Sequence, residues 1–126
     1  MKFTNYLVIT LLGALLCPLS TLAADKDGNY AVWGMGAKSC FHYTQAQGQP
    51  EAEAYREFVM GYLTAYDALA EDTYNIGAGQ DLDQVMVWIT NYCTKQQIHG
   101  FEQALAAYTV EQHPQRTRRP PLRMGR

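Results

Sequence analysis

The stretch at residues 51–73, EAEAYREFVMGYLTAYDALAEDT, decides the fold of this chain. Its large apolar residues follow one another in steps of three, one, three, four and three. This spacing matches the 3.6-residue period of an amphipathic helix that buries one stripe. The residues of the stripe are Tyr55, Phe58, Val59, Tyr62, Tyr66 and Leu69. We therefore predict a long helix that packs this stripe against the core.

Gly61 lies in the middle of this predicted helix. A glycine in a helix interior costs about 1 kcal/mol relative to alanine. A close approach by another helix would account for that cost, so we place a crossing partner at Gly61. The alternative is a tolerated glycine that has no packing role.

A short helix and a longer one are predicted on either side of the long helix. Ser39 is placed to cap a short helix over residues 40–47. Asp81 is followed three positions later by Gln84, which resembles a capping box and begins a helix that runs to about residue 94. On the apolar side of that helix we predict three core residues. They are Trp88, Ile89 and Tyr92.

A last helix follows Gly100 and ends at Pro114, which cannot continue it. Its core residues are predicted to be Phe101 and Leu105. With short loops and no alternating strand pattern, the chain is predicted to be all-α, a small bundle of about four helices.

The first residues have the features of a secretory signal peptide. Lys2 precedes an apolar run over residues 6–16, and small residues follow it. The run is shorter than the roughly 20 apolar residues that span a bilayer. We predict that residues 1–24 are a signal peptide, cleaved after Ala23 or Ala24, and that the mature protein is periplasmic.

The mature chain would keep two cysteines, Cys40 and Cys93, an even pair in an exported protein. A disulfide between them is the expected state in an oxidising compartment. The loop that it closes has 54 residues. By chain entropy this loop would stabilise the fold by about 4 kcal/mol. The helical bundle is therefore predicted to be stapled by one disulfide.

Charge is divided unevenly between the predicted domain, residues 25–113, and the tail, residues 114–126. The domain has twelve acidic residues against four basic ones, a net charge of −8, whereas the tail has five arginines and no acid. The tail is rich in Arg and Pro with little to bury, so we predict that it is disordered. Contact between the tail and anionic lipid is a less favoured alternative to a solvated tail that rests on the acidic domain. Export argues against a nucleic-acid partner.

No residue pattern in the sequence predicts catalysis, a metal site or a cofactor. His42, His99 and His113 are scattered, without the spacing of metal ligands. The neighbouring acids Glu71/Asp72 and Asp81/Asp83 are better explained as solvated helix ends than as acid–base pairs. Phosphate-binding loops and nucleophile motifs are absent from the sequence. We therefore predict a protein that is not an enzyme.

Three short motifs resemble the HdeA/HdeB group of small exported helical proteins over about residues 33–112. They are Ser39-Cys40-Phe41, Gly61-Tyr62 inside the long helix, and Trp88-x-x-x-Tyr92-Cys93. The outline is also similar to that of Tai-type immunity proteins, which neutralise type VI secretion effectors. The sequence does not separate the two groups.

Resemblance to HdeA/HdeB implies a periplasmic helical domain, often dimeric, that loosens in acid and holds other unfolding proteins. Resemblance to the Tai type implies an inhibitor that binds one secreted enzyme. The expected partners are therefore other proteins, either unfolded clients or one specific enzyme, and a homodimer is compatible with the first resemblance.

Overall fold

A computed structural model of the chain describes residues 24–122. It contains four α-helices and a short 3₁₀ helix before and after them. The α-helices are α1 (Cys40–Ala46), α2 (Ala52–Leu69), α3 (Leu82–Lys95) and α4 (Phe101–Gln112), and the 3₁₀ helices are Gly34–Ala37 and His113–Gln115. Within the described residues only two isolated β-bridges occur, and no strand. The prediction of a small all-α bundle is confirmed.

The predicted signal peptide lies outside the described residues except for Ala24, as do the last four residues of the tail. The chain divides into two compact units with a boundary after Tyr30. In the described part of the first unit, the Asp25 carboxylate accepts hydrogen bonds from the backbone N–H groups of Asp27 and Asn29, at 2.9 and 2.8 Å. These bonds favour the ionised carboxylate and lower the pKa of Asp25.

The predicted disulfide is present in the second unit and joins the start of α1 to the last turn of α3. The sulfur atoms of Cys40 and Cys93 are bonded, and both residues are fully buried. Beside them, the Cys40 N–H donates to the His99 carbonyl at 2.8 Å, and the Phe101 N–H donates to the Lys38 carbonyl at 2.7 Å. The disulfide and these bonds therefore hold the starts of α1 and α4 against the end of α3.

Both helix caps that the sequence predicted are present. The Ser39 hydroxyl accepts from the His42 N–H at 3.3 Å. Asp81 and Gln84 form a complete capping box, in which each side chain accepts from the other's backbone N–H at 2.9 Å. These bonds satisfy N–H groups that would otherwise lack partners in the first turn.

An aromatic cluster forms the centre of the core where α1, α2 and α4 meet. Tyr43, Tyr55 and Phe101 are all fully buried, with ring centroids 4.7 to 5.2 Å apart. The Tyr43 hydroxyl is hydrogen-bonded to the Thr90 hydroxyl at 2.8 Å. The predicted core residues Val59, Ile89 and Leu105 are also fully buried, at 0 % exposure.

The close approach that we expected at Gly61 occurs at Gly36 instead. A Cβ on Gly61 would meet nothing within 4 Å, so the predicted crossing partner there is wrong. A Cβ on Gly36 would collide with the ring of Phe58 and the side chain of Val32. Phe58, which was predicted to be core, is half-buried and packs against the core at this point. The first 3₁₀ helix, rather than a crossing α-helix, therefore packs against α2 at Phe58.

The loop between α2 and α3 contributes a core residue of its own. Ile76 is fully buried. Its backbone N–H donates to the Asp67 carboxylate on α2 at 2.7 Å. This bond ties the loop to the last turns of α2, and desolvation in this place raises the pKa of Asp67 above its ordinary value despite the bond.

Candidate functional site: the exposed face of α2

The apolar stripe of α2 continues beyond the core and becomes surface. Tyr55 and Val59 are fully buried, whereas none of residues 60–69 is buried. The open part of the stripe is a shallow apolar depression, which we call the α2 face. It consists of Tyr62, Ala65, Tyr66, Leu69 and Ala70.

Leu69 is the most exposed side chain of the α2 face. It was predicted to be core, but 86 % of its surface is accessible, so that prediction is wrong. The helical period places Leu69 on the same stripe as Tyr55 and Val59. The core, however, ends about one turn after Val59, and the last turns of the helix extend past it. Periodicity reports which side of a helix is apolar and not how far the opposing core reaches.

The two tyrosines of the α2 face are held in place by other parts of the domain. Tyr62 is half-buried and packs against the core. The Tyr66 hydroxyl is hydrogen-bonded to Nδ1 of His113 at 2.8 Å, with the two rings in an edge-to-face arrangement at 6.2 Å. The rings therefore form a fixed apolar wall beside the exposed Leu69.

A bridge between distant segments borders the end of α2 that carries this face. The Arg116 side chain donates to the Asp72 carbonyl, the Thr73 hydroxyl and the His113 carbonyl, at 3.2, 3.1 and 2.8 Å. Thr117 and Asn75 pair as an antiparallel bridge, with both backbone hydrogen bonds between 2.9 and 3.0 Å. We call residues 116 and 117, with these contacts, the C-terminal strap.

The predicted start of the disordered tail is wrong, because the strap lies beyond it. The expectation placed that start at residue 114, but residues 113–115 form a 3₁₀ helix and the strap follows directly. Arg118 also pairs with the Asp72 carboxylate, at 3.1 Å. The acidic loop after α2 holds the chain here, because its carboxylate and carbonyl groups match the donors of the guanidinium groups.

The other residues singled out in the sequence have structural contacts. Trp88 and Tyr92 are half-buried and pack against the core, and the Trp88 indole N–H donates to the Glu111 carboxylate at 3.0 Å. Asp83 pairs with Arg56 of α2 at 2.8 Å. The three histidines are not brought together: each bonds through Nδ1 to a different hydroxyl group. These hydroxyls belong to Ser39, Tyr92 and Tyr66, bonded to His42, His99 and His113 respectively.

Among residues 24–122, no group of three or more His, Cys, Asp or Glu side chains is arranged to hold a metal ion. No helix in the same residues is long and apolar enough to cross a bilayer. No protein-family model, curated protein or solved structure matches this chain.

Proposed function

We propose that this chain is a non-enzymatic, exported protein-binding domain that contacts other proteins through the α2 face. The observation that carries the proposal is Leu69, a leucine that is 86 % exposed on the same stripe that forms the core. An apolar surface next to ordered tyrosine rings is typical of the buried centre of protein interfaces.

The fixed tyrosines add a second physical argument. The bond from Tyr66 to His113 limits the motion of the Tyr66 ring before any partner arrives. Binding to an ordered surface loses less side-chain entropy than binding to a mobile one. The Tyr66 ring can also be covered by a partner while its hydroxyl keeps the hydrogen bond to His113, which suits a surface that is exposed in one state and covered in another.

The test compares Leu69→Ser with Val87→Ser, a control on α3 whose side chain is 61 % exposed. Both variants remove an exposed apolar side chain, but only the first changes the α2 face. We expect Leu69→Ser to lose most of the binding of an apolar dye and most of the ability to suppress aggregation of an unfolding reference enzyme. If the two variants lose dye binding and aggregation suppression equally, the α2 face is not the binding surface.

An acid-stress chaperone is the form of this function that resemblance to HdeA/HdeB suggests. Such a chaperone should show stronger client binding near pH 3 than near pH 7, together with loss of near-UV circular dichroism and retained helix. Asp67 opposes loosening in acid. Its pKa is raised in the folded state, so protonation of this carboxylate at low pH stabilises the folded state relative to the unfolded chain. A domain that stays folded and inert near pH 2 would end the chaperone form.

An inhibitor or immunity protein for one secreted enzyme is the second candidate. It is favoured by the accessibility of Leu69 in the folded domain, because a fixed partner could bind without any prior unfolding. A photo-crosslinking residue at position 69 should then give one dominant adduct in the periplasm, and the same residue at position 87 should give none. A ladder of many adducts at position 69 would instead support the chaperone form.

A further inference from the structure

A second surface cleft lies between α3 and α4 and is distinct from the α2 face. Its volume is about 320 Å³, and it is lined by Trp88, Asn91, Tyr92, Lys95 and Glu111. The rings of Trp88 and Tyr92 are nearly parallel, at an interplanar angle of 16°, with centroids 5.6 Å apart. The two rings are therefore stacked on one another, and the stacked pair lines one side of the cleft. We call this pair the Trp88 shelf.

The Trp88 shelf is held from several directions. The indole N–H of Trp88 donates to Glu111 on α4 at 3.0 Å, and its ring meets Tyr108 edge-to-face at 5.3 Å. The Tyr92 hydroxyl is hydrogen-bonded to Nδ1 of His99 at 2.8 Å. The orientation of both rings is therefore set by the fold before a ligand arrives.

The rim of the cleft has polar groups with unused hydrogen-bonding capacity. Asn91 and Lys95 lie one turn apart on α3 and are exposed. Neither side chain forms a hydrogen bond or an ion pair with another of the described residues. The amide of Asn91 supplies a donor and an acceptor, the ammonium group of Lys95 supplies donors, and the Glu111 carboxylate supplies acceptors.

We propose that this cleft binds one pyranose residue of a glycan. A pyranose ring presents C–H groups on its faces and hydroxyl groups around its edge. The C–H groups match the aromatic surface that the stacked rings of Trp88 and Tyr92 leave open to the cleft, and the hydroxyls match the donors and acceptors of the rim. Polar groups that converge at the edge of an apolar wall are the usual arrangement of a small-molecule site.

Two other ligand classes fit the cleft less well. A cationic ligand would be drawn to the aromatic rings and to Glu111, but Lys95 lines the same cleft and repels it. A wholly apolar ligand would cover Asn91 and Lys95 without satisfying their hydrogen-bonding groups, which is costly. A sugar avoids both penalties. This activity is separate from protein binding at the α2 face, because the two surfaces share no residue.

The test uses the tryptophan of the shelf as its own reporter. The chain has two tryptophans, and Trp33 is 82 % exposed, so Trp33→Phe leaves Trp88 as the sole tryptophan with little effect on the fold. This variant is titrated with triacetylchitotriose and with maltotriose, and choline chloride serves as the cationic probe. We expect a saturable change in Trp88 fluorescence with at least one sugar and none with choline.

Rim variants then assign the signal to the cleft. In the Trp33→Phe background, Asn91→Ala and Lys95→Ala should each weaken sugar binding by about two- to tenfold, the range for loss of one hydrogen bond. Val87→Ala, on the same helix but outside the cleft, should bind like its parent, and all four proteins should melt at similar temperatures. The proposal is overturned if neither sugar gives saturation up to about 10 mM. It is equally overturned if the rim variants bind unchanged, or if choline saturates the signal in place of the sugars.

Discussion

Tyr55 has the least favourable polar environment in the described core. Its side chain is fully buried, and its hydroxyl has no hydrogen-bond partner. Burial of an unpaired hydroxyl costs roughly 1–3 kcal/mol. Desolvation also raises the pKa of Tyr55, because burial disfavours the charged phenolate. The ring, by contrast, makes favourable edge contacts with Tyr43 and Phe101.

We therefore expect Tyr55→Phe to leave the free energy of unfolding unchanged or to raise it by about 1 kcal/mol, because the ring stays and the unpaired hydroxyl goes. The matched control is Tyr108→Phe, since the Tyr108 hydroxyl donates to Gln80 at 2.8 Å. That variant should lose about 1 kcal/mol. Urea unfolding of both variants is the measurement. A loss in Tyr55→Phe as large as in Tyr108→Phe would mean that the Tyr55 hydroxyl has a partner in solution.

Asp67 gives a second prediction, on the pH dependence of stability. Because burial raises its pKa above the ordinary value of 3.8, the folded state holds this proton more tightly than the unfolded chain does. The contribution of Asp67 to stability is therefore fully present below about pH 4 and declines as pH rises through the raised pKa. Asp67→Asn keeps an acceptor for the Ile76 N–H and removes the titration. The free energy of unfolding, measured with a denaturant from pH 3 to pH 7, should decline less in the variant than in the parent. An equal decline in the two proteins would contradict the assignment to Asp67.

The pKa of Tyr108 is also raised, so its contribution to stability also declines as pH rises, but in the alkaline range. Desolvation, followed by the nearby negative charges of Asp67 and Glu111, raises its pKa to about 12. The folded state then keeps a proton that the unfolded chain releases from about pH 10, so Tyr108 stabilises the fold less as pH rises from 10 to 12.

Among the larger elements, the C-terminal strap fixes the loop between α2 and α3. The Arg116 side chain is only 10 % exposed and donates to three acceptors on two segments of the chain. Its planar fork reaches them together, which the single ammonium group of a lysine cannot do. Asp72, which has a positive φ of 51°, lies in this loop and is one of the residues that the strap holds.

We expect Arg116→Lys to lower stability by roughly 1–2 kcal/mol, because it removes charge-assisted hydrogen bonds. Amide exchange at Tyr74 and Asn75, whose N–H groups donate to Thr117, should accelerate. The control is Arg118→Lys: this side chain is 59 % exposed and forms one ion pair, which should change stability by less than about 0.5 kcal/mol. Unchanged exchange in Arg116→Lys would show that the backbone bridge holds the loop without the side chain.

The helix caps could be predicted from sequence, but the strap could not. Ser39 and Asp81 cap helices through bonds to residues only three positions away, so the spacing of residue types is sufficient. Arg116 bonds to Asp72 and Thr73 across more than forty residues, and nothing in a stretch rich in Arg and Pro indicates a fixed partner. Ile76 was missed for a related reason, because an isolated apolar residue in a loop has no period.

The α2 face shows where the hydrophobic period itself reaches its limit. The period correctly placed Tyr55 and Val59 in the core, and it placed Leu69 on the same side of the helix. Whether that side is covered at each turn depends on the length of the opposing elements, which the helix sequence does not contain. The exposed end of a correctly predicted stripe became the candidate binding surface.

At the scale of the whole molecule, the disulfide closes the part of the chain that contains α2 into a loop. Cys40 and Cys93 enclose α2 and the loop after it, with a sequence separation of 53. Closing a loop of this length stabilises a fold by about 4 kcal/mol in the chain-entropy estimate. Total stabilities of small domains are about 5–15 kcal/mol. The bond should therefore supply a large part of the stability that keeps the α2 face and the α3–α4 cleft, the two proposed binding surfaces, intact.

We expect the double variant Cys40→Ala and Cys93→Ala to lose about 3–5 kcal/mol relative to the oxidised protein. Alanine is used because both positions are fully buried, where a serine hydroxyl would add its own cost. Urea unfolding is measured with and without a reductant: the parent should fall to the level of the variant when it is reduced, and the variant should not respond. If the variant lies within about 1 kcal/mol of the oxidised parent, helix packing alone holds the fold, and the chain-entropy estimate fails for this loop. Dye binding at the α2 face then shows whether the lost stability loosens α2, because a loosened α2 would bind more dye in the variant than in the parent.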